Sequence, residues 1–227
     1  MTRVFDSLIG RYAPILVGVL LLFLLEPLLG ERGTTSGWMN VLVLLLVVVS
    51  LRALWTSRVL LGVVGIMGSV LVVMSVLESF ELMFDAVPIS DLVGAAFLLV
   101  TSYGILYDIF NRDEITADTV YGASAVYMLL GLAFARLYLA LLKWAPDSFA
   151  ASELLLSQVD QLGWKASGLI HYYSLVTLTT IGYGDVTPVA PLARNLAAIE
   201  GIIGQLFIAA VVARLVSLYS REPKETR

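Results

Sequence analysis

The chain has 227 residues, of which 59% are hydrophobic and only 14% charged, with a mean hydropathy of +0.91 and a formal net charge of −4. Ordinary soluble domains carry about 25% charged residues, so this composition excludes a water-soluble globular protein and points to lipid. Cysteine is absent, which excludes disulfide and thiol chemistry, and an acidic chain without a basic stripe gives no reason to expect nucleic acid.

A helix crosses a bilayer core with about 20 mostly apolar residues. In chain order, spans are predicted at Tyr12–Leu29, Trp38–Leu54, Val59–Leu77, Pro88–Phe110, Thr119–Trp144 and Pro191–Tyr219. No small-residue cleavage site follows the long apolar run of the first, so it is expected to remain as an anchor. The third contains Gly62, Gly65, Gly68 and Ser69, and its Gly65-x-x-x-Ser69 pair suits close helix packing. The fourth, PISDLVGAAFLLVTSYGILYDIF, has no Lys or Arg. A voltage-sensing span needs regularly placed arginines, so weak or absent voltage dependence is predicted. Arg136 and Lys143 late in the fifth span, and Arg214 late in the sixth, are expected to snorkel to the headgroups. Between these two spans lies an apolar segment, Ala166–Leu178, too short to cross and followed by glycines. It is expected to be re-entrant, which membranes tolerate only where protein buries the backbone or it lines a watery cavity.

Lys and Arg in short loops mark the cytoplasmic side. Arg3 and Arg11, then Arg52 and Arg58, then Arg221, Lys224 and Arg227 fall on one side of a six-span arrangement. Both termini are therefore expected inside, and the Ala166–Pro188 segment dips in from outside. The loop Asn111–Asp118, with one Arg among three acids, is the weakest fit to the rule. All connections are short and about eight residues follow the last span, so no attached nucleotide- or calcium-binding domain is expected.

The segment TLTTIGYGDVTP, residues 177–188, breaks the apolar pattern. Gly182 and Gly184 alternate with Ile181 and Tyr183, and glycine reaches left-handed dihedrals without steric cost. Alternating left- and right-handed residues would turn successive carbonyls to one side. One chain makes one row of oxygens; four chains around an axis would make stacked rings able to replace the water around a cation.

Thr179-Thr180-Ile181-Gly182-Tyr183-Gly184-Asp185 resembles the selectivity filter of tetrameric potassium channels, with Ile181 in place of the usual valine. The longer string HYYSLVTLTTIGYGDVTP resembles the pore loop of bacterial two-transmembrane-type potassium channel modules. PLARNLAAIEGIIGQLFIAAVVARLVSLY resembles their inner helix, and the likeness covers about Thr119–Tyr219. It implies a re-entrant pore helix and filter loop between the fifth and sixth spans and a fourfold homotetramer; with the four apolar runs that precede it, the fold expected is an all-α integral membrane protein with six transmembrane helices. Residues 1–118 would form a four-helix bundle without a voltage sensor, 119–219 the pore module, and 220–227 a short cytoplasmic tail.

The same resemblance places potassium at the carbonyls of Thr180, Ile181, Gly182 and Tyr183 and at the Thr180 hydroxyl, with Gly184 at the outer mouth. Tyr183 would brace the filter from behind, Asp185 would bond toward the pore helix, and Tyr172, Tyr173, Val176 and Thr177 would support it. Many family members carry a tryptophan pair where Tyr172 and Tyr173 stand; tyrosines can still brace the filter and bond Asp185. The pore helix would aim its C-terminus, worth about −0.5 elementary charge, at the cation. Gly204, nineteen residues after Asp185, corresponds to the family's inner-helix hinge; with Gly201 it also suits close packing. Glu200 is an acid inside a span, which is functional by default. It either tunes the filter from behind or is a neutral carboxyl bonded to Thr177 or Ser174. His171, the single histidine, is expected near the outer surface or a subunit contact, as a pH sensor or a plain polar group. Asp147, Glu153, Asp160 and Asp185 share the outer connection with Lys165, giving an acidic vestibule or an ordinary solvated loop.

The expected function is passive, potassium-selective conduction in a bacterial inner membrane, with self, lipid and K+ as partners and no cofactor beyond the transported ion. No phosphate loop, metal cluster or nucleophile–base pair suggests an enzyme. The alternatives are a weakly selective cation channel and a non-conducting membrane subunit.

Overall fold

A computed structural model describes residues 10–30, 44–52, 54, 57–79, 88–112, 114, 116–152 and 166–219. Its helices are α1 (Ala13–Gly30), α2 (44–52), α3 (Arg58–Ser79), α4 (Ile89–Phe110), α5 (Ala117–Trp144), α6 (Ala166–Leu178) and α7 (Pro191–Tyr219). Two short strands, β1 (Phe149–Ala151) and β2 (Val186–Pro188), flank α6 in sequence. Among the described residues, α3, α4, α5 and α7 are long and apolar enough to cross a membrane, and α1 adds an apolar run over Ala13–Leu25. The chain is an integral membrane protein. The start of the predicted second span, residues 38–43, lies outside the described residues, as do the predicted terminal segments 1–9 and 220–227.

Helix α5 is the axis of the structure. It begins at a reciprocal cap in which Thr116 Oγ1 accepts from the Thr119 amide and Thr119 Oγ1 accepts from the Thr116 amide, each at 3.3 Å. This satisfies two of the backbone donors a helix start leaves open. Its buried face is rich in small residues, with Ala125, Ala133 and Ala135 fully buried beside Val126 and Leu129. In lipid, apolar surface alone does not drive helices together, so close van der Waals packing through small residues must. That face lets α1, α4, α6 and α7 all pack on α5. Tyr12, Ile15 and Val19 from α1 and its lead-in meet Phe97 and Ile105 from α4 in the larger core, while Phe134 and Tyr138 meet Ile170, Tyr173 and Val186 in a second core.

Among the described residues, two clusters of charged side chains lie near the two ends of α4. Where α1, α4 and α5 meet, Asp108 accepts from the Tyr12 hydroxyl and from Arg112 Nη2 at 2.8 Å, and Asp118 accepts from the Tyr12 amide at 2.8 Å. At the opposite end of α4, Asp91 pairs with Arg136 Nη1 at 3.2 Å and Lys143 Nζ at 2.9 Å. Snorkelling to the headgroups was the expectation for Arg136 and Lys143; the structure turns both onto a buried acid. Arg214, expected to do likewise, instead donates to the carbonyls of Phe110 at 3.0 Å and Arg112 at 2.8 Å. In each case a neighbouring helix supplies an acceptor within reach: Asp91 of α4 for Arg136 and Lys143, and the carbonyls closing α4 for Arg214.

Candidate functional site

Helix α6 has 13 residues and ends at mid-length of two spanning helices. Its last residue, Leu178, is fully buried, and its carbonyl accepts from the Tyr127 hydroxyl of α5 at 3.0 Å. From α7, Gly204 lies so close that an added Cβ would collide with the same Leu178 carbonyl. By contrast, a Cβ at Gly201 would meet only the Thr177 carbonyl at 4.0 Å. Only glycine fits at 204, so the packing reading of that residue has a direct structural basis.

The backbone then leaves the helix. Thr180 N–H donates to the Thr177 carbonyl at 3.0 Å and Ile181 N–H to the Val176 carbonyl at 2.9 Å. Thr180, Gly182 and Gly184 have φ of 59°, 59° and 77°, while Ile181 and Tyr183 between them do not have positive φ. Successive peptides therefore alternate in handedness from 180 to 184. The sequence reading expected this at the two glycines; the structure adds Thr180, where a β-branched residue in the left-handed region costs about 1–3 kcal/mol. Gln205 of α7 donates through Nε2 to Thr180 Oγ1 at 3.3 Å, on the same residue that carries this strain. Residues 179–184 are exposed in the protomer, and open space lies where a Cβ at Gly182 or Gly184 would sit.

The Asp185 end of the loop is held from two sides. Tyr172 of α6 donates to Asp185 Oδ2 at 2.7 Å, and Asp185 Oδ1 accepts from the Val186 amide at 3.0 Å. The Tyr172 and Tyr183 rings lie nearly parallel, 6.5 Å between centroids. Beyond Asp185, β2 pairs antiparallel with β1 in the register Phe149↔Pro188, Ala150↔Thr187, Ala151↔Val186. Tyr173 points the other way, edge-on to Tyr138 and Phe149 with centroids 5.3 and 5.2 Å apart.

Glu200 is fully buried behind this loop. Ser174 Oγ lies 2.5 Å from its Oε1 and 2.6 Å from the Gly131 carbonyl, and Tyr138 donates to Oε2 at 2.6 Å. The carboxyl thus joins α5, α6 and α7. Of the two hydroxyls considered from sequence, Ser174 is the one bonded to Glu200, and Tyr138 of α5 is a second partner that the sequence did not suggest. His171, expected near the outer surface or a subunit contact, is instead 2% exposed within the protomer and sits edge-on to Phe23 of α1 at 6.1 Å. Tyr127, Tyr138 and Gln205 carried no sequence signal beyond a polar group within an apolar span. The vestibule acids Glu153 and Asp160, and Lys165, lie outside the described residues.

Residues 149–221 match the family model described as Ion channel. The chain is also 31% identical over 103 residues to Protein LctB of Bacillus caldotenax, a match covering 45% of this chain and 74% of that protein. No solved structure matches. The matched residues 149–221 hold α6, the loop and α7, and with the relative's identity they make the chain a member of the ion channel family.

Proposed function

We propose that the protein is a potassium-selective channel that conducts passively as a fourfold homotetramer. The observation that carries this reading is the alternation of backbone handedness at Thr180, Gly182 and Gly184. It suits a row of carbonyls from Thr180, Ile181, Gly182 and Tyr183 that takes the place of an ion's hydration shell. In this reading α1 to α5 and α7 supply six crossings, α6 is the re-entrant pore helix, and its C-terminal dipole faces the cation.

The tetramer follows from the cost of bare backbone in lipid. Non-helical peptide groups at membrane depth must be buried or line a watery cavity, and residues 179–184 are exposed in one protomer. Four copies would enclose them around an axis. The apolar face of α7, with Ile202 at 59% and Leu206 at 64% exposure, offers surface for the same assembly and for lipid. Both termini are then cytoplasmic and the Asp185 end of the filter faces outward, as the arginine distribution suggests.

The test is ion flux into liposomes holding the purified protein. Potassium and rubidium uptake without sodium uptake, lost in Gly182→Ala and Tyr183→Ala, is the expected result. Equal sodium uptake would replace it with a weakly selective cation channel. Absence of flux for every ion across changes of pH, lipid and membrane tension would overturn the conducting reading in favour of a non-conducting subunit.

A further inference from the structure

Away from the filter, a cavity of about 160 Å³ opens among α1 to α5 at the end of the bundle where α4 begins and α5 finishes. Its walls are apolar, with Leu71 of α3 and Phe97 of α4 among them. Its polar end holds Ser90, Asp91, Arg136 and Lys143. Arg136 and Lys143 stand two helical turns apart on one face of α5 and reach opposite oxygens of Asp91. Among the described residues that line the cavity, two cations therefore share one acid, an excess of one positive charge.

The depths of these groups differ. The Asp91 side chain is 4% exposed, whereas those of Arg136 and Lys143 keep 25% and 29%. In this cluster the cations, rather than the acid, keep surface within reach of a ligand. Arginine and lysine both donate to phosphate oxygens. The site also lies at the boundary end of two membrane-spanning helices, beside apolar walls. A net anionic headgroup complements the charge, and a hydrocarbon chain complements the walls.

We propose that this cavity binds one anionic phospholipid, with its phosphate at Arg136 and Lys143 and its acyl chain along Leu71 and Phe97. A zwitterionic lipid offers the same phosphate but adds a cation that the site's excess charge repels.

Native mass spectrometry of the purified full chain in detergent tests this, with phosphatidylglycerol titrated against phosphatidylcholine and, separately, inorganic phosphate. The expected result is about fivefold tighter retention of phosphatidylglycerol, the increment of one basic side chain near an anionic headgroup. Lys143→Gln removes the excess charge while leaving the Arg136–Asp91 pair, and should abolish the preference. Asp91→Asn removes the acid and should strengthen phosphatidylglycerol binding by about the same factor. A cluster that only holds helices together would lose stability in both variants and shift lipid binding in neither. Equal retention of the two lipids, or a preference unchanged in Lys143→Gln, would overturn the proposal. So would inorganic phosphate competing as well as the lipid, because the apolar walls would then contribute nothing. If Lys143→Gln does not fold, Asp91→Asn decides alone: tighter binding sustains the site, unchanged or weaker binding removes it. The readout is lipid retention, so the result is independent of ion selectivity.

Discussion

Gly204 and Gly201 show how much one carbon atom decides. The Leu178 carbonyl ends α6 at the point where the proposed filter begins, and Gly204 is pressed against it. A methyl group there must displace the end of α6 and, with it, Thr180. Gly204→Ala is expected to abolish potassium flux and lower the thermal midpoint in detergent, while Gly201→Ala, with ordinary contact distance, should leave both near the parent values. Equal tolerance of the two substitutions would show that the Leu178 carbonyl can move aside and that 204 needs neither closeness nor a glycine hinge. Glu200 makes a second residue-scale case. Its carboxyl is the common partner of Ser174 and Tyr138, and removing one partner of a buried polar group costs about 1–3 kcal/mol. Glu200→Ala should therefore be destabilising by at least that amount in thermal unfolding, and Glu200→Gln, which keeps both an acceptor and a donor, should recover most of it. A stable alanine variant would mean that Ser174 and Tyr138 satisfy each other or reach water.

At the scale of elements, α4 is fastened at both ends. Asp91 near its start is paired to α5, and Asp108 near its end is paired to Arg112 and Tyr12. The carbonyls that close α4 then receive Arg214 from α7, a favourable placement because a cation at a helix C-terminus also meets its negative dipole end. The peripheral helices are thus joined to the far end of α7, ten residues beyond Gly204. Arg214→Ala should loosen this joint, seen as faster hydrogen exchange at residues 108–112 and 211–217 with exchange in α6 unchanged. Exchange that stays the same at both sites would mean the Arg214 contacts do not hold α4 and α7 together. The β1–β2 pairing plays the corresponding part at the other end of the loop, tying Val186–Pro188 to the chain that follows α5.

For the whole molecule, the proposed assembly predicts that native mass spectrometry finds four copies of the 24.6 kDa chain. A stable monomer or dimer that still conducts would sink the fourfold reading. The same fastened α4, with no Lys or Arg along its span, has little charge to move through the membrane field. Energy of about 2.3 kcal/mol per charge per 100 mV is what drives a voltage sensor. Currents in planar bilayers are therefore expected to vary little in open fraction between negative and positive potentials; steep voltage dependence would require moving charge elsewhere in the chain.

Much of this was legible in the amino-acid order because lipid imposes a strong rule: apolar runs must be helical and of a set length. The bounds of α1 and α3 to α7 fall within two residues of the predicted spans and short helix, and the family likeness rests on contiguous residues such as Gly182-Tyr183-Gly184. Contacts between segments far apart in the chain were not legible. The order of residues suggested Ser174 as a partner of Glu200, but nothing in it says that Tyr138 joins them, that Gln205 reaches Thr180, or that His171 is covered by α1. Nor does it say that Arg136 and Lys143 turn inward to Asp91 rather than outward to water. Hydropathy reports how deep a residue lies in the membrane, but not which way around the helix it faces or which helix stands there. Those choices were made by close packing on the small-residue face of α5, and only the tertiary structure records them.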